Sequence, residues 1–121
     1  MKLPHVVLNL AISQAHKSPL DYKHGAVIFY RKTILGAGFN WPKGPMTYEK
    51  KVHSIHAERD CLAGLRHDQI QGASLLSVRV GPEGSMKCSA PCEGCRKLLT
   101  RKLIRCVFYF DYYGKMNCIW L

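Results

Sequence analysis

Two short segments restrict the possible folds of this 121-residue chain more than any other part of the sequence. One is His56-Ala57-Glu58, and the other, further along, is Pro91-Cys92-Glu93-Gly94-Cys95. Cys92 and Cys95 are three residues apart, so one turn of helix points both thiols in the same direction. Together with His56 they offer one nitrogen and two sulfur ligands, which is enough for a tetrahedral zinc ion with one open position.

Three protein ligands are typical of catalytic zinc, because a structural site is normally closed by a fourth ligand. Zinc also lowers the pKa of bound water toward neutrality. Both segments are predicted to start helices, where the positive end of the helix dipole favours thiolates and a carboxylate. Glu58 would reach the bound water and move protons instead of binding the metal.

Cys88, just before Cys92, is the alternative fourth ligand, and its participation would argue against catalysis.

The predicted order of elements is α-β-β-α-β-α-β-β, which indicates a mixed sheet flanked by helices. Apolar periodicity predicts helices over 5–17, 54–66 and 91–103. Ser54 is the expected cap of the second helix, and Pro91 is expected in the first turn of the third. Short apolar runs rich in β-formers predict strands over 25–30, 33–39, 74–80, 104–110 and 116–120. The long loop over 40–51 is expected to be functional.

Composition excludes several classes of protein. The 18 Lys and Arg residues outnumber the 8 Asp and Glu, and the resulting net charge of +10 favours phosphate-bearing ligands. No run approaches the roughly 18 apolar residues of a membrane span. The length is that of one domain, so we expect a single domain over 1–121. The N-terminal segment does not resemble an export signal, so we expect this domain in the reducing cytoplasm. There, Cys61, Cys106 and Cys118 are expected to be buried thiols and not disulfides.

The two segments resemble the signature of the zinc-dependent cytidine/deoxycytidylate deaminase superfamily, H-x-E followed by P-C-x-x-C. The strand patterns over 24–28 and 35–40 are also similar to that family. The resemblance implies an α/β, three-layer α-β-α cytidine deaminase-like fold with a mixed five-stranded sheet. It implies hydrolytic removal of an exocyclic amine from a base, with Glu58 as the catalytic residue. It further implies Zn²⁺ as the cofactor, bound by His56, Cys92 and Cys95.

The same resemblance implies a set of substrate contacts. The backbone N–H of Ala57 would hold the carbonyl of the base, and Asn40 would contact the ribose. Ala90 is also assigned to the substrate-binding residues. His53 either lines the pocket or only belongs to the loop, and Tyr112 either stacks on a base or only ends a half-exposed strand.

Two features of the sequence point to different substrates. Histidine as the first ligand is shared with deoxycytidylate deaminases, tRNA adenosine deaminases and single-strand cytosine editors, whereas free-cytidine deaminases commonly have cysteine there. Only residues 111–115 separate the last two strands, which suits a C-terminal antiparallel hairpin and resembles the division that holds free-cytidine deaminases. We expect a dCMP-like nucleotide as substrate. The alternatives are cytosine in single-stranded DNA or RNA, tRNA adenosine, and a non-catalytic zinc-stabilised nucleic-acid-binding module.

A cluster of cations occupies the third predicted helix. Arg96, Lys97 and Arg101 fall on one face, and no acidic residue occurs between Glu93 and Asp111. This face would either bind the backbone of a single-stranded nucleic acid or simply be solvated. Apolar residues at the C-terminal end, 119–121, would allow a homo-oligomer.

Overall fold

The structure, a computed structural model, describes residues 3–42 and 54–121. Within these residues the helices are α1 (His5–His16), α2 (Ala57–Leu62), α3 (His67–Ile70) and α4 (Glu93–Arg101). The strands are β1 (Lys23–Tyr30), β2 (Thr33–Phe39), β3 (Trp41–Pro42), β4 (Ser54–Ile55), β5 (Ser74–Val80), β6 (Met86–Lys87), β7 (Cys106–Phe110) and β8 (Met116–Trp120). None of the helices in the described ranges has both the length and the apolar character needed to cross a bilayer.

The main sheet is mixed and has the order β2-β1-β5-β7-β8, with the short strand β6 added to β5. Strands β5 and β7 are parallel, whereas β1 is antiparallel to both of its neighbours. Strands β7 and β8 form an antiparallel hairpin. Strands β3 and β4 make a separate two-stranded pair. The predicted mixed five-stranded sheet and C-terminal hairpin are therefore confirmed.

Side chains alternate along β1 and divide the core between the two faces of the sheet. Val27 and Phe29 pack with the buried residues of α1. Ala26 and Ile28 point the other way and pack with residues of α2 and with Leu99 of α4. Helices therefore cover both faces, and the predicted three-layer α-β-α arrangement is confirmed.

Two glycines allow helices to lie directly on the sheet. A methyl group at Gly25 would be 2.2 Å from the carbonyl oxygen of Ala11 in α1, and one at Gly38 would be 2.5 Å from the backbone nitrogen of Cys61 in α2. The carboxylate of Asp60 also accepts a hydrogen bond from the backbone N–H of Phe39 at 3.0 Å. Helix α2 is thereby held against the end of β2.

The second helix is shorter than the predicted range 54–66. Its N-cap is His56, so the prediction of Ser54 as the cap was wrong; the Ser54 backbone instead belongs to the β3–β4 pair. The helix ends at Leu62 because Ala63 is extended and Gly64 has a φ of 79°, in the left-handed region that glycine favours. The separate helix α3 follows, and its single turn is too short to give a periodic sequence signal.

The third predicted helix also begins later than expected. The Cys92 thiol caps α4 by accepting a hydrogen bond from the backbone N–H of Cys95 at 3.4 Å. Pro91 therefore precedes the cap and does not lie in the first turn. At the other end, Leu103 has a φ of 61° in the left-handed region. The next strand therefore begins at Cys106 and not at the predicted residue 104. Of the predicted loop over 40–51, the structure describes Asn40 and strand β3. Residues 43–51 of this loop, and also His53, lie outside the described residues.

Candidate metal and catalytic site

The beginnings of α2 and α4 bring three possible metal ligands together. His56 caps α2, Cys92 caps α4, and Cys95 lies in the first turn of α4. Nδ1 of His56 is 3.3 Å from the Cys95 sulfur and 3.6 Å from the Cys92 sulfur. In the described ranges 3–42 and 54–121, these residues form the one group of His, Cys, Asp or Glu whose ligand atoms cluster as a metal site would require, all within 4.8 Å of one another.

These separations fit a zinc ion. Zn–N and Zn–S bonds of roughly 2.0 and 2.3 Å place nitrogen and sulfur about 3.5 Å apart around a tetrahedral centre. Burial and the Glu58 carboxylate raise the pKa of the Cys95 thiol, so a nearby cation is required to make this sulfur a thiolate. Two thiols and one imidazole are the donor set that zinc prefers, and three protein ligands leave one position open.

Cys88 does not belong to this cluster. Its side chain is partly buried and lines an adjoining cavity. The alternative in which Cys88 closes the site as a fourth ligand is therefore not supported by the part of the chain that the structure describes. This keeps the ligand set in the form that leaves room for water or a substrate atom.

Glu58 is a buried carboxylate beside the ligands. Its side chain is 1% exposed, and its Oε2 lies 3.6 Å from the Cys95 sulfur. The Ser77 hydroxyl donates a hydrogen bond to Oε1 at 3.3 Å. His24 Nε2 lies 2.5 Å from the Ser77 oxygen and 3.5 Å from the same Oε1. Two polar side chains of the sheet thus contact one oxygen of Glu58, while the other oxygen faces Cys95.

The direction of these hydrogen bonds assigns the state of His24. Burial lowers the pKa of His24, an effect that the nearby Glu58 charge only partly opposes, so the imidazole is neutral near pH 7. Because the Ser77 hydroxyl donates to Glu58, its oxygen accepts from His24, which places the single ring proton on Nε2. The chain His24–Ser77–Glu58 therefore holds the carboxylate in place with neutral donors.

Neither His24 nor Ser77 was predicted from the sequence to belong to the site. The available signal was Ser77 itself, a hydroxyl in the middle of a mostly apolar strand, since a buried polar group needs a partner. His24 had no such signal, because its position beside Ser77 depends on the pairing of β1 with β5.

A cavity of about 270 Å³ adjoins the site. It is lined by Tyr22, His24, Asn40, His56, Glu58, Arg79, Ala90 and Cys92. Of the predicted substrate-binding residues, Asn40 and Ala90 therefore lie in the same cavity wall as the metal cluster and Glu58. Ala57 is buried between His56 and Glu58 as the first residue of α2, where its N–H has no partner within the helix. Tyr112 lines the adjoining cavity and is 89% exposed.

The Asn40 side chain connects β2 to β1 at the cavity wall. Its Oδ1 accepts the backbone N–H of His24 at 2.9 Å, and its Nδ2 donates to the carbonyl of Tyr22 at 2.8 Å. The Ser18 hydroxyl donates to the backbone carbonyl of Asn40 at 2.8 Å. These bonds fix the amide and leave one amide hydrogen and one lone pair of Oδ1 for a ligand.

The basic face of α4 lies beside the site and does not include Glu58 or the ligand cluster. Arg96, Lys97 and Arg101 are exposed and border one shallow surface depression. Lys97 Nζ is 3.4 Å from the exposed carboxylate of Glu93, four residues earlier. An exposed pair of this kind contributes little to stability but locally reduces the positive charge of the face.

The sequence matches no protein-family model and no curated protein. Its backbone is similar to that of the cytidine deaminase from Burkholderia pseudomallei, with a TM-score of 0.70 and 19% identity over 98% of this chain and 93% of that chain. The cytidine deaminase from Mycobacterium leprae has a TM-score of 0.62 and 18% identity, covering 93% and 90%. The dCMP deaminase from the cyanophage S-TIM5, solved with dCMP and dUMP, has a TM-score of 0.57 and 18% identity, covering 91% and 85%.

Proposed function

We propose that this chain, which has the fold of the cytidine/deoxycytidylate deaminase superfamily, is a zinc-dependent hydrolytic deaminase that converts a cytosine base to uracil. The observation that carries the proposal is the position of Glu58, a buried carboxylate in the same cavity wall as His56 and Cys92. A purely structural metal site would have no use for a buried carboxylate that does not belong to the ligand cluster.

His56, Cys92 and Cys95 would hold the zinc ion. Bound zinc supplies a water molecule that loses a proton near neutral pH. Cys92 caps α4, and its sulfur accepts the backbone N–H of Cys95, which holds it at the start of the helix beside Cys95. Ser77 and His24 keep Oε1 of Glu58 in one place, which leaves Oε2 facing the ligand cluster.

Glu58 carries the protons of the reaction. Deamination adds one water to the cytosine ring at C4 and releases ammonia, so protons must move from the water to the ring nitrogen and to the departing amine. A carboxylate within reach of both positions serves as base and then as acid. The Ala57 N–H would hold the carbonyl of the base, and the free hydrogen-bonding capacity of Asn40 would face the sugar.

We propose a cytidine or deoxycytidine nucleotide, such as dCMP, as the substrate. The net charge of +10 favours a phosphate-bearing ligand over a bare base. The dCMP deaminase from the cyanophage S-TIM5, which has a similar fold, was solved with dCMP and dUMP. The proposal would be tested by supplying the zinc-loaded protein with dCMP, CMP, deoxycytidine, cytosine, single-stranded DNA and tRNA while ammonia release and base change are measured.

The Glu58→Gln variant provides the mechanistic test. It keeps the volume of the side chain and removes its ability to accept a proton, so we expect zinc content to be unchanged and kcat to fall by roughly 10²- to 10⁴-fold. Glu93→Gln, at an exposed acidic residue in the first turn of α4, is the matched control and should retain activity. Full activity in Glu58→Gln, or no ammonia from any cytosine substrate, would contradict the proposal.

A further inference from the structure

A second cavity of about 360 Å³ adjoins the catalytic one. It is lined by Tyr22, Arg79, Lys87, Cys88, Ala90 and Tyr112. Tyr22, Arg79 and Ala90 belong to both cavities. A ligand whose base lies beside Glu58 and whose sugar lies near Asn40 could therefore extend past Arg79 into this second space.

Arg79 lies at the boundary of the two cavities. Its guanidinium carbon is 4.6 Å from the centre of the Tyr22 ring, close enough for a cation–π contact that orients the side chain. Within residues 3–42 and 54–121, no carboxylate lies within 4 Å of it. A planar guanidinium held in this way presents several N–H donors in a fixed geometry that matches the oxygens of a phosphate.

Lys87 is the other cation of the second cavity, and it has a partner. It lies opposite Arg79 in the β5–β6 pair, and its Nζ is 2.6 Å from Oε1 of Glu83. This contact lowers the pKa of Glu83 to about 2, so the carboxylate stays charged and offsets the ammonium. Arg79 is thus the cation of this cavity whose charge is available to a ligand.

Resting on the proposed function, we propose that Arg79 and the second cavity form a subsite for a phosphate ester on the sugar of the substrate. The subsite would make the protein selective for a nucleotide over the corresponding nucleoside. No interaction described above uses the Arg79 donors, and its position next to His24 in the β1–β5 register keeps it beside the catalytic groups.

The test is calorimetric binding of dCMP and deoxycytidine to zinc-loaded protein that carries Glu58→Gln, so that neither ligand is consumed. We expect dCMP to bind roughly 10- to 100-fold more tightly, as a charge-assisted hydrogen bond implies, and Arg79→Gln to remove that gain. Arg105→Gln is the matched control, because Arg105 also lies over an aromatic ring, that of Trp120. Arg105 precedes β7 and is level with the residue before β5, about 20 Å from Arg79 along the strand.

The subsite is overturned if the dCMP gain is absent or if Arg79→Gln leaves it unchanged. Failure of the proposed function looks different, since no ammonia would form from wild-type protein while the tighter binding of dCMP persisted.

If Arg79→Gln does not fold, competition by inorganic phosphate is measured on the protein with native Arg79 instead. Phosphate should weaken dCMP binding and leave deoxycytidine binding unchanged, and equal effects on both overturn the subsite. A parallel binding titration with a single-stranded oligonucleotide distinguishes recognition of a terminal phosphate from recognition of a phosphodiester.

Discussion

Glu58 illustrates how single side chains set the chemistry of this site. Its burial would be costly without hydrogen bonds, and Ser77 supplies one at 3.3 Å. Ser77 is in turn bonded to His24, so the carboxylate is held from the sheet and not from its own helix. Positioning of this kind matters because proton transfer requires heavy atoms within hydrogen-bond reach.

Ser77→Ala tests this positioning. Loss of the hydroxyl leaves Oε1 of Glu58 without its donor, and we expect kcat to fall roughly 10- to 100-fold with KM and zinc content little changed. Ser74→Ala is the matched control on the same strand, because Ser74 is also buried but contacts Cys106 and not Glu58. Equal losses of activity in the two variants would show that the effect is structural.

At the scale of elements, the contact of α2 with β2 decides where the His56–Glu58 segment lies. Gly38 leaves no room for a side chain beneath Cys61, and Asp60 bonds to the backbone of Phe39. A shift of α2 would move His56 away from the two thiols on α4, whose sulfurs are only 3.3 and 3.6 Å from its Nδ1.

Gly38→Ala is expected to push α2 away from the sheet. The added methyl group would meet backbone atoms, so we expect a loss of about 1–3 kcal/mol in unfolding free energy together with weaker zinc binding. Gly64→Ala is the contrasting variant, since its methyl group would meet nothing within 4 Å and only the left-handed φ is strained. Chemical denaturation and zinc titration measure the two effects. Unchanged zinc affinity in Gly38→Ala would show that the metal site does not depend on the position of α2.

The β7–β8 hairpin depends on Asp111. Its Oδ1 accepts the backbone N–H groups of Lys115 and Tyr113, each at 2.9 Å, and its Oδ2 accepts from Asn117 at 2.7 Å. The hydrogen bond from Lys115, with those from Asn117 and Tyr113, lowers the pKa of Asp111 below its ordinary value of 3.8. These bonds explain why five residues suffice to connect the last two strands.

Asp111→Ala should lower the melting temperature at neutral pH. Because the folded pKa lies below the unfolded value, the stabilisation is complete above about pH 4 and is lost as pH falls through the folded pKa. The difference in melting temperature between wild type and variant should therefore shrink below pH 4. Thermal melts at several pH values measure it, with Asp68→Ala, an exposed acid on α3, as the control. A constant difference across this range would contradict the assignment.

At the scale of the whole molecule, the metal site joins two helices that begin far apart in sequence. The ligands on α2 and α4 approach one another because both helices pack on the same face of the sheet. An ion bound only by the folded arrangement adds its binding free energy to the stability of the fold. A metal ion bound at this site would therefore stabilise one outer layer of the three-layer structure.

Zinc is expected to raise the melting temperature of the wild-type chain by several degrees once it exceeds its dissociation constant by 100-fold. Cys92→Ser should lose most of that increase, because it removes one of the three ligands. Cys88→Ser, four residues away and outside the cluster, should respond like the wild type. An equal response from both variants would place the metal elsewhere.

Part of the fold could be predicted because its signals are local. The periodicity of α1 and the apolar runs of the five main strands each arise from burial on one or two faces, and they were recovered to within a few residues. The boundaries of α2 and α4 were not, since the left-handed Gly64 and the Cys92 cap end and begin helices at positions that periodicity does not mark.

The candidate ligands His56, Cys92 and Cys95 and the acid Glu58 could be predicted from local sequence, because helix geometry and donor chemistry depend on short spacings. Their surroundings depend on how distant segments pack together. His24 and Ser77 are 53 residues apart, and the antiparallel register of β1 with β5 brings them to one carboxylate and sets Arg79 beside them. Pairing register is fixed by burial across the whole sheet, so no local pattern in either strand could have specified these neighbours.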